Sequence, residues 1–216
     1  METYLGIINV IGFILYCINI LLYKYTHKRK IDTLLTITSF LGGSLGIIIA
    51  ILLFDRENSK DNMTSRIFAI CTFVIQLIVF IMFKSNNGEK ITFAIWKLFD
   101  KYKILLVYLI IINLTTFTIF ALDKIKAISG KWRYKIVTLL GLCFIGGSIG
   151  GLLSMYIFRH KTNVNYFKWG IPMIIVMQIV ISIFLVNVLY IKHIGIIIRG
   201  YDYIYDFDIN NYKTVQ

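Results

Sequence analysis

The chain is short of nearly everything a water-soluble domain displays on its surface. Only 11 of its 216 residues are Asp or Glu, and 16% are charged with either sign, where soluble domains carry about a quarter. Proline occurs once, at Pro172, so proline leaves the rest of the chain free to form uninterrupted helices. The three cysteines, Cys17, Cys71 and Cys143, lie inside apolar stretches without a shared spacing. That excludes a disulfide framework and a cysteine metal site, and it suits small buried hydrophobes. No P-loop, dinucleotide fingerprint, GxSxG elbow or HExxH pair is present. The tail YDYIYDFDINNYK holds Asp202, Asp206 and Asp208 without the glycine and final glutamate of a calcium loop. The expectation is no metal, no cofactor and no catalytic set, with enzymatic activity left open.

What the chain does have is apolar length. It is 58% hydrophobic with a mean hydropathy of +0.76. Six runs, at 4–22, 34–54, 67–83, 104–122, 136–158 and 170–191, each approach the roughly 20 apolar residues that cross a bilayer core. The expected fold class is an all-α, multi-pass integral membrane protein of the bacterial inner (plasma) membrane. The opening Met-Glu-Thr-Tyr lacks the basic region of a signal peptide, so the first run is read as a retained span. Net charge is +12, from 23 Lys and Arg. These lie in short loops beside the runs, which points to topology and anionic headgroups rather than nucleic acid.

The sequence also repeats. A shift of 104 positions places Tyr4 on Tyr108, Asn9 on Asn113, Arg29 on Arg133, Gly42-Gly43-Ser44 on Gly146-Gly147-Ser148, Gly46 on Gly150 and Phe54 on Phe158. Two residues fewer then bring Gln76 onto Gln178. Polar matches in one register carry more weight than matched leucines, because apolar runs agree by chance. The organisation expected is two tandem repeats, 1–83 and 104–192. A basic linker that could form an amphipathic interfacial helix occupies 84–103, and an acidic-aromatic tail occupies 193–216. Each repeat would hold two transmembrane helices around a glycine-rich central helix that either spans or re-enters.

The glycines allow both readings. Gly42, Gly46 and Ala50 recur every fourth residue, as do Gly146, Gly150 and Ser154, with Gly43 and Gly147 beside them and Gly151 following. One small-residue face lets another helix approach closely. Adjacent glycines also permit a break, tolerated in a membrane only where the freed backbone meets protein or a cavity. Full crossing leaves the two sides nearly equal in Lys and Arg, whereas re-entry puts nearly two thirds of them on one face. The positive-inside rule therefore favours re-entry.

In the re-entrant arrangement Asp123-Lys124, Arg133 and Arg159-His160-Lys161 share one membrane face. They would form a cationic cluster able to hold a phosphate or headgroup, with His160 able to bond or titrate near neutrality. Ordinary interfacial charge is the plainer account of the same residues. Asn9, Gln76, Asn113 and Gln178 lie within the runs and are expected to hydrogen-bond between helices. No acidic or basic residue lies deep in a run, which disfavours an ion-coupled pump.

The second half, with its Asn113 run, Asp123-Lys124, Ala127, Trp132-Arg133, the Gly-Gly-Ser segment, Phe158-Arg159-His160-Lys161-Thr162, and Phe167 before Pro172, resembles the DUF1294 family of bacterial membrane proteins of unknown function. The resemblance covers about 105–185. It departs where the family usually follows Trp-Arg with Pro-Glu, since Lys135 and Ile136 stand there. In the first half Asn19-Ile20 replaces the Asp-Lys pair, and Asp55-Arg56-Glu57 replaces Arg-His-Lys. The resemblance implies a membrane fold, and its motif places the six polar residues of the second half together.

The expected function is non-catalytic binding of an anionic headgroup, small anion or partner at that cluster. Membrane lipids are the expected partners, with a homo-oligomer open. A small channel or transporter lined by the glycine segments is the second reading. A lipid-acting enzyme using His160 and Asp123 is the third.

Overall fold

The computed structural model describes residues 2–26, 31–55, 63–85, 95–96, 99 and 102–188, and every regular element among them is helical. The linker helix expected within 84–103, the loop containing His27 and the acidic tail fall largely or wholly outside the described residues. Six apolar helical segments are long enough to cross a membrane: Thr3–Leu22, Thr33–Phe54, Met63–Met82, Lys103–Ile128, Ile136–Ile157 and Asn165–Val188. The described residues are all-α, with the length and composition of a multi-pass membrane protein.

The elements are α1 (Glu2–Thr26), α2 (Asp32–Thr38), α3 (Ser44–Phe54), α4 (Met63–Ser85), α5 (Lys103–Ile128), α6 (Ile136–Leu142), α7 (Ser148–Ile157) and the short α8 (Asn165–Lys168). Residues 170–188 form α9. Two of the six segments are not straight. A widened helical turn at Ser39–Gly43 joins α2 to α3, and one at Cys143–Gly147 joins α6 to α7. Within them Gly42 has φ 114° and Gly146 φ 125°, a left-handed backbone that only glycine adopts without strain. The chain reverses there.

The reversal in the second half follows from one carboxylate. Tyr134, just before α6, donates its N–H to Asp123 Oδ1 at 3.1 Å, while His160, just after α7, lies 3.0 Å from Asp123 Oδ2. A straight helix over the 22 residues of Ile136–Ile157 would hold its ends about 33 Å apart. Instead α6 climbs α5, turns at Gly146, and α7 descends parallel to α5. Asn113 meets Gly150, Phe117 meets Ser154, and Asp123 meets His160. In the first half, Leu35 on the way in and Ala50 on the way out share a buried cluster with Tyr16, whose hydroxyl reaches Asp55.

Breaking a helix in an apolar setting strands backbone groups, because the first four N–H groups and last four carbonyls of each arm lose helical partners. The intramembrane amides supply those partners. Asn113 Oδ1 accepts from the Gly150 N–H at 2.7 Å, and its Nδ2 donates to the Gly146 carbonyl at 2.9 Å. Gln178 Nε2 donates to the Cys143 carbonyl at 2.7 Å while its oxygen accepts from the Ser148 hydroxyl. Tyr108 donates its hydroxyl to the Ile145 carbonyl at 2.6 Å.

The first half repeats this set. Asn9 accepts from Gly46 N–H, Gln76 donates to the Ser39 carbonyl and accepts from Ser44, and Tyr4 donates to the Leu41 carbonyl. The ring pairs Phe13–Phe54 and Phe117–Phe158 recur as well. These amides were expected to join helices to one another. They do so by capping the broken ends of the hairpins.

The four-residue stripes of small residues are interrupted, since Gly42 and Gly146 form the bends rather than a helix face. Beyond the bends the stripes hold. A Cβ at Gly46 or Gly150 would fall on the carbonyl oxygen of Asn9 or Asn113, and one at Gly147 on the Thr116 hydroxyl. Each descending arm therefore packs on the first helix of its own half. Helix α4 joins the halves. Its Met63, Ile67 and Cys71 share one core with Leu139, Cys143, Met155, Phe167 and Ile171 of the second half.

Candidate functional site

The site forms where both feet of the second hairpin meet the end of α5. The sequence run ends at Leu122, but α5 continues to Ile128, so Asp123 lies inside the helix with 0% of its side chain exposed. Helix α5 then stops at Gly130, whose φ of 64° turns the chain, with the Lys131 N–H closing onto the Lys126 carbonyl at 3.0 Å. A glycine in this conformation just past a helix end is a common stop. The turn brings Tyr134 back beside Asp123.

Helix α7 ends in the same way, but with a residue that suits the turn less well. The His160 N–H bonds the Met155 carbonyl at 3.0 Å, and Arg159 occupies the left-handed position with φ 45°. Lys161 follows at φ 64°. Non-glycine residues pay about 1 kcal/mol or more for that conformation. The strained turn aims His160 and Lys161 at Asp123. Lys161 Nζ lies 2.7 Å from Asp123 Oδ2 with only 8% of its side chain exposed, and it also caps the Phe167 ring at 4.7 Å. Arg133 stands farther off at 3.7 Å and half exposed.

Arg159→Gly is therefore expected to leave the site intact and to raise stability by up to about 1 kcal/mol, the relief of about 1–2 kcal/mol of left-handed strain less the entropy that glycine adds to the unfolded chain. Thermal unfolding in detergent measures this. A loss of stability would show that the arginine side chain, and not its backbone, is what the turn needs.

Asp123 thus accepts from a backbone N–H, an imidazole and an ammonium. A buried charge is stable only when paired and hydrogen-bonded in this way. Burial pushes the His160 imidazole below its ordinary value, opposed by its bond to Asp123 and reinforced by the nearby Lys161 charge. The shift favours the neutral imidazole, which can donate Nε2–H to the carboxylate. Burial also pushes the Lys161 ammonium downward, again opposed by Asp123.

Of the six residues the sequence placed in a cluster, the structure gathers Asp123, Arg133, His160 and Lys161. Lys124 and Arg159 form no ion pair with Asp123 among the described residues. Lys124 follows Asp123 by one position, which turns it about 100° around α5.

Sequence reasoning did not single out Tyr134, whose backbone locks the loop. It also missed the first half's own buried pair, in which Arg66 meets Asp55 at 2.7 Å and Tyr16 donates to the same carboxylate at 2.7 Å. The signal available was Arg66 at the head of an apolar run, since a charge at such a position calls for a partner.

Beside the cluster lies a cleft of about 580 Å³, lined by Met63 of α4 and by Arg133, Tyr134, Lys135, Ile136, Val137, Lys161, Val164 and Tyr166. Three of these are cations and none is acidic. Its size falls within the range of small-molecule sites, about 300–1,000 Å³. Among the described residues no group of His, Cys, Asp and Glu could hold a metal ion.

A hairpin-bearing helical membrane protein with a buried acid–base cluster is the class these features define. The family described as "Protein of unknown function (DUF1294)" matches residues 113–167, the stretch running from the Asn113 cap to Phe167. The chain is also 39% identical over 78 residues to "Uncharacterized protein YsdA" of Bacillus subtilis (strain 168). That match covers 36% of this chain and 88% of the relative. This chain belongs to the DUF1294 family. No solved structure matches it.

Proposed function

We propose that this is a bacterial inner-membrane protein made of two tandem copies of a re-entrant helical unit, which binds a phosphate-type anion without catalysis in the cationic cleft of the second copy. The observation that carries the binding claim is the cleft itself: Arg133, Lys135 and Lys161 line it and none of the described lining residues is acidic. Asp123 is covered most closely by Lys161 and His160, while Arg133 stands farther off at 3.7 Å and half exposed, so Arg133 and Lys135 are the cations best placed to meet a ligand.

The duplication is supported by the recurrence of the caps, bends and ring pairs, 104 residues apart for the asparagine caps and bends and 102 for the glutamine caps. It is supported further by the size of the Bacillus relative, 88% of which aligns over only 78 residues of this chain. The first copy has Asn19, Arg56 and Glu57 at the positions of Asp123, His160 and Lys161, so the site belongs to the second. A channel between the copies draws no support from the glycines, whose faces are closed by backbone and side chains of the neighbouring helices.

Two measurements test the reading. With the native cysteines removed, single cysteines at Lys131 and Asn163 should label from the same side of the membrane. Labelling from opposite sides would overturn the hairpin and with it the site. Glycerol phosphate titrated onto the detergent-solubilised protein should raise its unfolding temperature saturably, and the Arg133→Gln/Lys135→Gln double variant should lose that response. A flat titration in the unaltered protein would remove the anion assignment.

A further inference from the structure

We infer that the ligand of this cleft is a glycerophospholipid whose headgroup carries net negative charge, held by its phosphate and selected against zwitterionic lipids. This rests on the anion-binding reading and narrows it to one chemical class. The cleft lining mixes charge with apolar surface: Arg133, Lys135 and Lys161 line it together with Met63, Ile136 and Val137. Met63 and Ile136 are the first residues of α4 and α6, and both open apolar segments long enough to enter a bilayer. The apolar part of the lining thus belongs to segments that begin beside the cations. A free anion would use only the cations, and at about 580 Å³ the cleft has room for a glycerol backbone and the first carbons of an acyl chain.

Depth agrees with this assignment. Trp132 is 95% exposed and Ile128 74% exposed, on the same turn that carries Arg133. An exposed tryptophan flanked by Lys131 and Arg133 is the composition of the headgroup layer, where indole rings and basic side chains collect. The cleft mouth thus sits at the level where phospholipid phosphates lie.

Selectivity follows from what the lining offers a cation. An ethanolamine or choline headgroup needs an acidic partner or an open aromatic face. Among the described residues no lining residue is acidic. Asp123 is fully buried behind Lys161 and His160. The Tyr134 ring is already faced by Lys126 Nζ at 4.0 Å, and the Tyr166 ring packs on Phe167 at 5.0 Å. A headgroup with a net negative charge meets cations alone.

The test uses the full chain in a neutral detergent with four probes: short-chain phosphatidylglycerol, phosphatidylethanolamine and phosphatidylcholine, and glycerol phosphate. Stabilisation against heat is followed as a function of probe concentration. Phosphatidylglycerol should act at concentrations at least about tenfold below either zwitterionic lipid and below glycerol phosphate, an expectation set by adding buried chain carbons to a charged head. Lys135→Gln and Arg133→Gln should each weaken it about fivefold, the effect of roughly one cation near an anionic headgroup. Lys124→Gln, near the same end of α5 but not among the lining residues, should leave it unchanged. Lys135 is exposed, so its variant keeps the fold even if that of Arg133 does not. Equal potency of phosphatidylglycerol and glycerol phosphate would overturn the lipid assignment while leaving anion binding in place. Equal potency of all three lipids, or equal loss with Lys124→Gln, would overturn selection by the cleft. No response to any probe would remove both readings.

Discussion

Asp123→Ala is expected to destabilise the protein by about 3–5 kcal/mol, the scale for removing one partner of a buried ion pair. Lys161, with 8% of its side chain exposed, would keep a charge and lose its counter-charge. The Tyr134 N–H and the His160 imidazole would lose their acceptor in the same step. Both feet of the hairpin are tied to this carboxylate, so the loss should appear as early opening of the 129–135 and 158–164 loops. Thermal or denaturant unfolding in detergent gives the magnitude, and hydrogen exchange locates it. The Asp123→Leu/Lys161→Met double variant should recover much of the stability, because replacing both members of a buried pair with apolar groups is often close to neutral. A cost below about 1 kcal/mol for Asp123→Ala would mean the cluster is solvated and the feet are held elsewhere.

Asn113→Leu is the second large effect. The substitution keeps size while removing the acceptor for the Gly150 N–H and the donor to the Gly146 carbonyl. Each orphaned buried polar group costs about 1–3 kcal/mol, so about 2–6 kcal/mol is expected. Asn9→Leu should cost about 1–3 kcal/mol, through the one acceptor it gives the Gly46 N–H. Thr115→Val provides the comparison. Thr115 lies on the exposed face of α5, and its hydroxyl bonds the Ile111 carbonyl one turn back. It should shift stability by no more than about 0.5 kcal/mol. If Asn113→Leu matched Thr115→Val, the hairpin tip would be satisfied by water rather than by the amide.

The apolar segments were legible in the sequence because length and composition alone define them. The hairpins were legible as one of two options. Paired glycines and the loop charges favoured re-entry, but neither shows where a chain reverses. That needed Asp123 bonded from both Tyr134 and His160, two residues 26 positions apart.

Asn113 and Gln178 were recognised as polar residues in apolar runs. Their partners were not, because the carbonyls and N–H groups they satisfy exist only once the helix has broken. In the candidate site, neighbours in sequence were grouped as neighbours in space. Helix phase separates Lys124 from Asp123, and the left-handed turn gives Arg159 a backbone role. Arg66 and Asp55 were hidden for a related reason: each half pairs its buried charge differently, so matching the halves by their shared residues passed over the residues in which they differ.

Both hairpins enter from the same end of the bundle, and their tips stop short of the other. From Asp123 to Tyr108, where the tip is bonded, α5 rises about 22 Å, against a hydrocarbon core of about 30 Å. Near the loop end each half therefore presents four helical cross-sections, and near the opposite end only two. In a bilayer such a body is tapered. With its loop end at one bilayer face, such a body would take up more area in that leaflet than in the other.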